Sequence, residues 1–133
     1  MLQHEKNELL GFFDISARWC QGSEAQDDGG NPVTFDDDLA VAWDLAGGMC
    51  RLFGWRRACQ LFPQLDRHIH GKKRGFGTED ETVAAMSALF DFNDDQRMTY
   101  ERVIATLQDM PVWAGAPRDG SAPREGLTKE SQV

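Results

Sequence analysis

The stretch Asp36-Asp37-Asp38-Leu39-Ala40-Val41-Ala42-Trp43-Asp44-Leu45-Ala46-Gly47-Gly48-Met49-Cys50-Arg51-Leu52-Phe53-Gly54 decides the fold class. Leu39, Ala42, Trp43, Ala46, Met49, Cys50 and Phe53 recur at helical spacing and form one apolar stripe. Three aspartates precede the stripe, where a helix dipole favours negative charge, and Gly54 follows it as a helix stop. The reading is one long helix capped by Thr34 or Asp36, with Asp36–Asp38 placing negative charge on its first turn. Gly47-Gly48 would weaken it, so the pair predicts that another element approaches the backbone closely there.

Further helices follow on both sides. One is predicted over Leu2–Arg18, with Leu9, Phe12 and Phe13 on its apolar face. The next runs over Trp55–His70, where Pro63 should kink or divide it. Thr78-Glu79-Asp80-Glu81 is a capping box that opens a fourth helix, which Asn93-Asp94-Asp95 ends. A fifth starts near Thr99 and stops before Pro111. Turn formers at Asp27-Asp28-Gly29-Gly30-Asn31-Pro32 allow a short hairpin between about Cys20 and Val33. The expected fold is therefore mainly α: a small bundle of about five helices, with one short β-hairpin near residues 20–33. Its core is expected to include Phe13, Trp19, Trp43, Phe53, Cys59, Val83, Leu89, Val103 and Ile104.

Leu, Ile, Val and Phe make up 28 of 133 residues, enough for one core if they are concentrated. They are: the tail from Ala114 holds only Leu127 and Val133, and its Gly, Ala, Pro and Ser content predicts a segment without stable structure. The expected organisation is a helical domain over 1–113 and a disordered tail over 114–133.

The net charge of −8 is unevenly spread. Residues 1–50 carry ten acids and two bases, 51–76 seven bases and one acid, and 77–113 eight acids and two bases. Such a chain has a basic strip between acidic flanks and can pair these faces internally, for solubility and charge balance, or show either to a protein partner. Direct nucleic-acid binding is disfavoured by the overall acidity. Neither a membrane span nor a secretory leader is seen, and the unpatterned Cys20, Cys50 and Cys59 fit free thiols in the cytoplasm.

Two separated clusters carry a resemblance. They are Trp19-Cys20-Gln21-Gly22, followed by Asp28-Gly29 and Asn31-Pro32-Val33, and Asp91-Phe92-Asn93-Asp94, followed by Thr99, Glu101, Val103 and Ile104. With the Ala42-Trp43 helix between them, the chain resembles a family of short uncharacterised bacterial and phage proteins known only as a domain of unknown function. Phe92 stands where that family has Trp, and the Cys expected near Asp44-Leu45 is absent. The resemblance implies a shared fold over roughly residues 5–110 and no chemistry. Read from the residues alone, Trp19 and Phe92 are core rings, and Asn93 and Asp94 are suited to accepting from helix-start amides.

Several constellations could carry chemistry. Asp91, Asn93 and Asp95 match the start of a calcium loop, but Gln96 and Arg102 stand where Gly and Glu are required. His68 and His70 are two apart, the wrong spacing for one helix face. Cys20 is the one thiol beside a polar turn and the basis of a possible thiol enzyme. Gly71–Gly77 is a Gly-rich basic loop without the Walker order.

The partner or anion surface is expected at Trp55, Arg56, Arg57, Arg67, Lys72, Lys73 and Arg74, and an acidic surface at Asp27, Asp28, Asp36, Asp37 and Asp38. The expected function is a non-catalytic interaction protein without cofactor or metal. The alternatives are a phage-type, anti-CRISPR-like inhibitor of a nucleic-acid-directed defence complex, acting as an acidic mimic or channel blocker, and an enzyme centred on Cys20. The sequence does not set an oligomeric state.

Overall fold

Gly54 adopts φ +86°, a conformation that L side chains rarely reach, and it ends one helix while beginning the next. Around that corner the chain builds α1 (Gln3–Phe12), β1 (Ala25–Gln26), β2 (Pro32–Val33), β3 (Ala42–Trp43), α2 (Leu45–Phe53), α3 (Trp55–His70), α4 (Glu79–Asp94) and α5 (Tyr100–Gln108). The structure, a computed structural model, describes residues 1–71 and 79–112. The protein is mainly α, a small single domain with a minor antiparallel sheet. The predicted basic loop, the capping box at Thr78 and the tail lie outside the described residues.

The sheet has the order β2-β1-β3. Ala25 opposes Val33 on one side and Trp43 on the other. The predicted hairpin is present, closed by a turn in which the Asp27 carboxylate accepts from the Gly29 and Asn31 amides.

The long helix expected from Asp36 onward is corrected by the structure. Residues 34–41 form turns, Ala42–Trp43 is a strand, and the helix begins only at Leu45. Aspartate side chains explain the difference, since they compete with helix formation for local amides. Asp37 accepts from Leu39 N–H at 2.7 Å, and Asp44 accepts from Gly47 N–H at 2.6 Å as the true cap of α2. Leu39, counted in the apolar stripe, is 68% exposed.

The first helix is also shorter than expected. It ends at Phe12, and a separate 3-10 turn covers Ser16–Arg18. The Phe13 carbonyl accepts from the Tyr100 hydroxyl rather than from a further turn of helix. Pro63 does not divide α3, which runs unbroken from Trp55 to His70. The proline ring is buried on the packed face, and that burial offsets the missing N–H bond.

One core joins the five α-helices of the described residues. Phe13, Leu45, Met49, Leu61, Phe62, Leu65, Leu89, Val103 and Leu107 are fully buried in it or nearly so. Of the core expected from the sequence, Phe13, Trp43, Leu89 and Val103 are buried, while Trp19, Phe53, Cys59 and Ile104 pack partly exposed against it. Val83 is the exception at 52% exposed. Among the described residues no helix is long and apolar enough to cross a membrane.

The Gly47-Gly48 expectation holds. A Cβ on Gly47 would lie 2.0 Å from the Glu24 carbonyl oxygen, and one on Gly48 would lie 2.4 Å from the Phe13 ring. The small residues let the segment before β1 and the end of α1 lie directly on the α2 backbone.

Candidate functional site

The two sequence clusters meet in space. Asn93, fully buried at the end of α4, is the hub. Its Oδ1 accepts from the Trp19 indole N–H at 2.7 Å and from the Leu45 N–H at 3.0 Å, and its Nδ2 donates to the Cys20 carbonyl at 3.0 Å. Gln21 Nε2 donates to the main-chain oxygens of Asn93 and Asp95, and Gly22 N–H donates to the Asp94 carboxylate at 3.0 Å. The junction ties the 19–22 segment, the start of α2 and the end of α4 together. Leu45 is the first residue of α2, so Asn93 satisfies a helix-start amide, as its side chain is suited to do.

Asp44 lies in the same junction and was not singled out in the sequence. Its signal was an Asp three residues before a Gly at a close-packed site. The side chain is 1% exposed, and burial, the largest influence, pushes its pKa up to about 7. The nearby Asp94 and Glu24 charges add to the rise, and the Gly47 amide opposes it.

Cys20, the thiol beside the polar turn, belongs to the same junction. It is buried, its S–H points to the Ser23 carbonyl at 3.7 Å, and burial, with the Asp44 and Asp94 charges, raises the thiol to about 12. Cys50 is likewise raised to about 12 by burial. The Asp91-Asn93-Asp95 run does not gather its oxygens: Asp91 faces solvent, Asn93 faces inward, and Asp95 accepts from Arg97 N–H at 2.8 Å. Among the described residues no group of three or more His, Cys, Asp or Glu is placed to hold a metal. His70 pairs with buried Asp66 at 2.6 Å, one helical turn away, and His68 lies 3.9 Å from Asp109.

The predicted basic strip is divided. Arg57 is turned inward: its guanidinium holds the buried Glu5 carboxylate through two bonds of 2.6 and 2.7 Å, fastening α3 to α1. Arg51 lies 5.6 Å from the Trp43 ring centre and reaches the Phe35 and Asp37 carbonyls, so it too serves the fold. Arg56 and Arg67 are exposed on α3. Lys72, Lys73 and Arg74 lie outside the described residues. Trp55 is 54% exposed at the first position of α3, its ring set edge-on to Phe62 with centroids 6.5 Å apart.

The acidic set is divided as well. Asp27 is the lock of the hairpin turn, and the Asn31 backbone amide, with its side chain and the Gly29 amide, holds its carboxyl below the usual range. Asp37 is engaged in the next turn. Asp28, Asp36 and Asp38 face solvent.

Comparison of the chain with protein-family models, curated proteins and solved structures finds no match.

Proposed function

We propose that the protein is a non-catalytic interaction module that grips a protein partner through Trp55 and Arg56. The observation carrying this reading is a tryptophan more than half exposed at a helix start, braced from below by the fully buried Phe62 ring. A braced ring loses little conformational freedom on binding, and exposed Trp beside Arg is the composition that dominates binding energy at protein interfaces. The polar junction at Asn93 reads as architecture: each of its bonds joins two parts of this chain.

The test is photo-crosslinking from position 60, one turn along α3, in native extract. The wild type is compared with Trp55→Ala and Arg56→Glu, each confirmed folded by circular dichroism. A crosslinked species that Trp55→Ala abolishes and high salt preserves supports the reading. An identical set of species from wild type and Trp55→Ala refutes it.

A second reading rests on exposed Asp28, Asp36 and Asp38 with Leu39 among them. These suit a phage-type, anti-CRISPR-like inhibitor that occupies the basic groove or channel of a nucleic-acid-directed defence complex. That contact would weaken steeply with salt and would be lost in a triple Asp→Asn variant, with Trp55→Ala silent.

A further inference from the structure

Asp44 stands at the seam of β3 and α2 with its carboxyl almost wholly removed from water. Among the described residues it accepts one side-chain hydrogen bond, from Gly47 N–H, and pairs with no cation. The charged and titratable groups facing it come from every neighbouring element. Glu24 precedes β1, and its carbonyl accepts the Asp44 N–H at 3.2 Å. Asp94 ends α4. Cys20, before β1, and Cys50, on α2, are close enough for their thiols to feel the Asp44 charge. An ionised Asp44 is therefore supported by one amide and the start of a helix, and opposed by burial and two carboxylates.

We propose that Asp44 is a proton-operated latch: neutral, it lets the Trp19–Gly22 segment clamp onto the end of α4, and ionised, it loosens that clamp. The residues on either side of Asp44 are both bonded into the clamp: the Trp43 carbonyl accepts from Cys20 N–H at 3.0 Å, and Leu45 N–H donates to Asn93 Oδ1 at 3.0 Å. Asp94, which the new charge repels, is the residue whose carboxylate holds Gly22 N–H and receives Asn93 Nδ2 at 2.9 Å. Asn93 in turn holds Trp19 and Cys20. The cap on α2 survives either state, because the neutral acid keeps an acceptor oxygen for Gly47.

The sign follows from linkage. An acid whose folded pKa is raised binds its proton more tightly in the folded state. Its contribution to stability is full below the ordinary Asp range. It is lost progressively as pH rises through that range to about 7, and it stays lost above.

The experiment uses the whole chain. The Asp44 carboxyl is titrated by carbon NMR, indole-proton exchange of Trp19 is followed over the same range, and urea unfolding is measured from about pH 5.5 to about pH 8.5 for wild type and Asp44→Asn. The expected results are a carboxyl midpoint near neutrality, a Trp19 protection factor (corrected for the intrinsic rise of exchange with pH) that falls above it in wild type but not in Asp44→Asn, and a folded-to-unfolded ratio falling roughly tenfold or more. Asp44→Asn, which keeps the cap and retains His68 and His70, is expected to lose that slope. A carboxyl midpoint in the ordinary Asp range, or a wild-type slope retained in Asp44→Asn, overturns the latch. Should the variant not fold, the wild type decides: a midpoint near neutrality with Trp19 protection falling across it supports the latch, and protection unchanged across the midpoint overturns it.

Discussion

The Trp19 indole N–H donates to Asn93 Oδ1 at 2.7 Å, joining residues 74 positions apart in the chain. The same oxygen accepts from the Leu45 N–H, and the Nδ2 of the same amide donates a hydrogen bond to the Cys20 carbonyl. A replacement at 93 therefore strands three groups in a buried place, and unmade buried bonds cost more than made ones contribute. Asn93→Leu is expected to destabilise the protein by about 3–5 kcal/mol. Asn93→Asp keeps the acceptor but loses the donor and adds a charge beside Asp44 and Asp94, so it should be no better at neutral pH and partly recover in acid. Urea unfolding at both pH values checks the pair.

Gly47 and Gly48 are expected to refuse even alanine. At Gly47 the obstacle is main chain, the Glu24 carbonyl 2.0 Å from the added carbon, with Asp44 Oδ1 at 2.9 Å. At Gly48 it is the Phe13 ring, itself fully buried and unable to swing away. Helix propensity alone would favour alanine at both by about 1 kcal/mol. The close approach reverses the sign, and thermal unfolding should show both variants well below wild type, Gly47→Ala the worse because backbone yields less than a side chain.

How much of this was legible in the sequence varies with the kind of signal. The helix stop at Gly54, the two ends of α3 and the start of a helix near Thr99 were local signals and stand as expected, whereas the division allowed for at Pro63 does not occur. The close approach at Gly47-Gly48 was legible because two glycines in an apolar stripe need a packing reason. The start of α2 was misplaced because apolar residues at helical spacing from Leu39 to Trp43 coincide with a turn and a two-residue strand. There, Asp37 and Asp44 side chains and pairing with β1 outweigh periodicity. Internal pairing of basic and acidic residues was open from the charge blocks, but that Arg57 is the residue turned inward was not legible. Whether Arg57 faces solvent or Glu5 depends on where the fold brings α1, 52 residues away in sequence, within reach of the Arg57 side chain.

The Arg57–Glu5 pair predicts acid sensitivity. Burial acts to raise the Glu5 pKa, but the Arg57 hydrogen bonds and the Leu2 amide outweigh it and hold the carboxyl below its ordinary value. A depressed folded pKa adds stability above the ordinary Glu range that is lost as pH falls through the folded value. Arg57→Met leaves Glu5 buried without its partner and should cost about 2 kcal/mol at neutral pH. That is below the range for fully buried pairs, because the Arg57 side chain is 35% exposed. The deficit should shrink when urea unfolding is repeated in acid, where Glu5 takes up a proton.

Thiol reactivity should rank by burial. Cys20 and Cys50 are buried and raised to about 12, whereas Cys59 is half-buried. In native buffer a thiol reagent is expected to modify Cys59 first, the other two reacting only on unfolding, as read by mass spectrometry of the peptides. Early labelling of Cys20 would contradict the buried junction and reopen a thiol chemistry there.

Val83 and Leu89 share α4 and look alike in the sequence, yet the structure separates them. Leu89 is fully buried against the core, and Val83 is 52% exposed. Truncating Leu89 to Ala removes apolar contact and leaves a cavity, at about 2–5 kcal/mol. Val83→Lys exchanges a β-branched residue for a better helix former on a wet face, and should fall within about 0.5 kcal/mol of wild type. Urea midpoints for the two variants thus read which face of α4 meets α2 and α3. Equal losses would mean that α4 packs in a different rotation. The buried face that carries Leu89 also carries Ala85 and ends in Asn93, so a rotation large enough to bury Val83 would withdraw Asn93 from Trp19 and Leu45 as well.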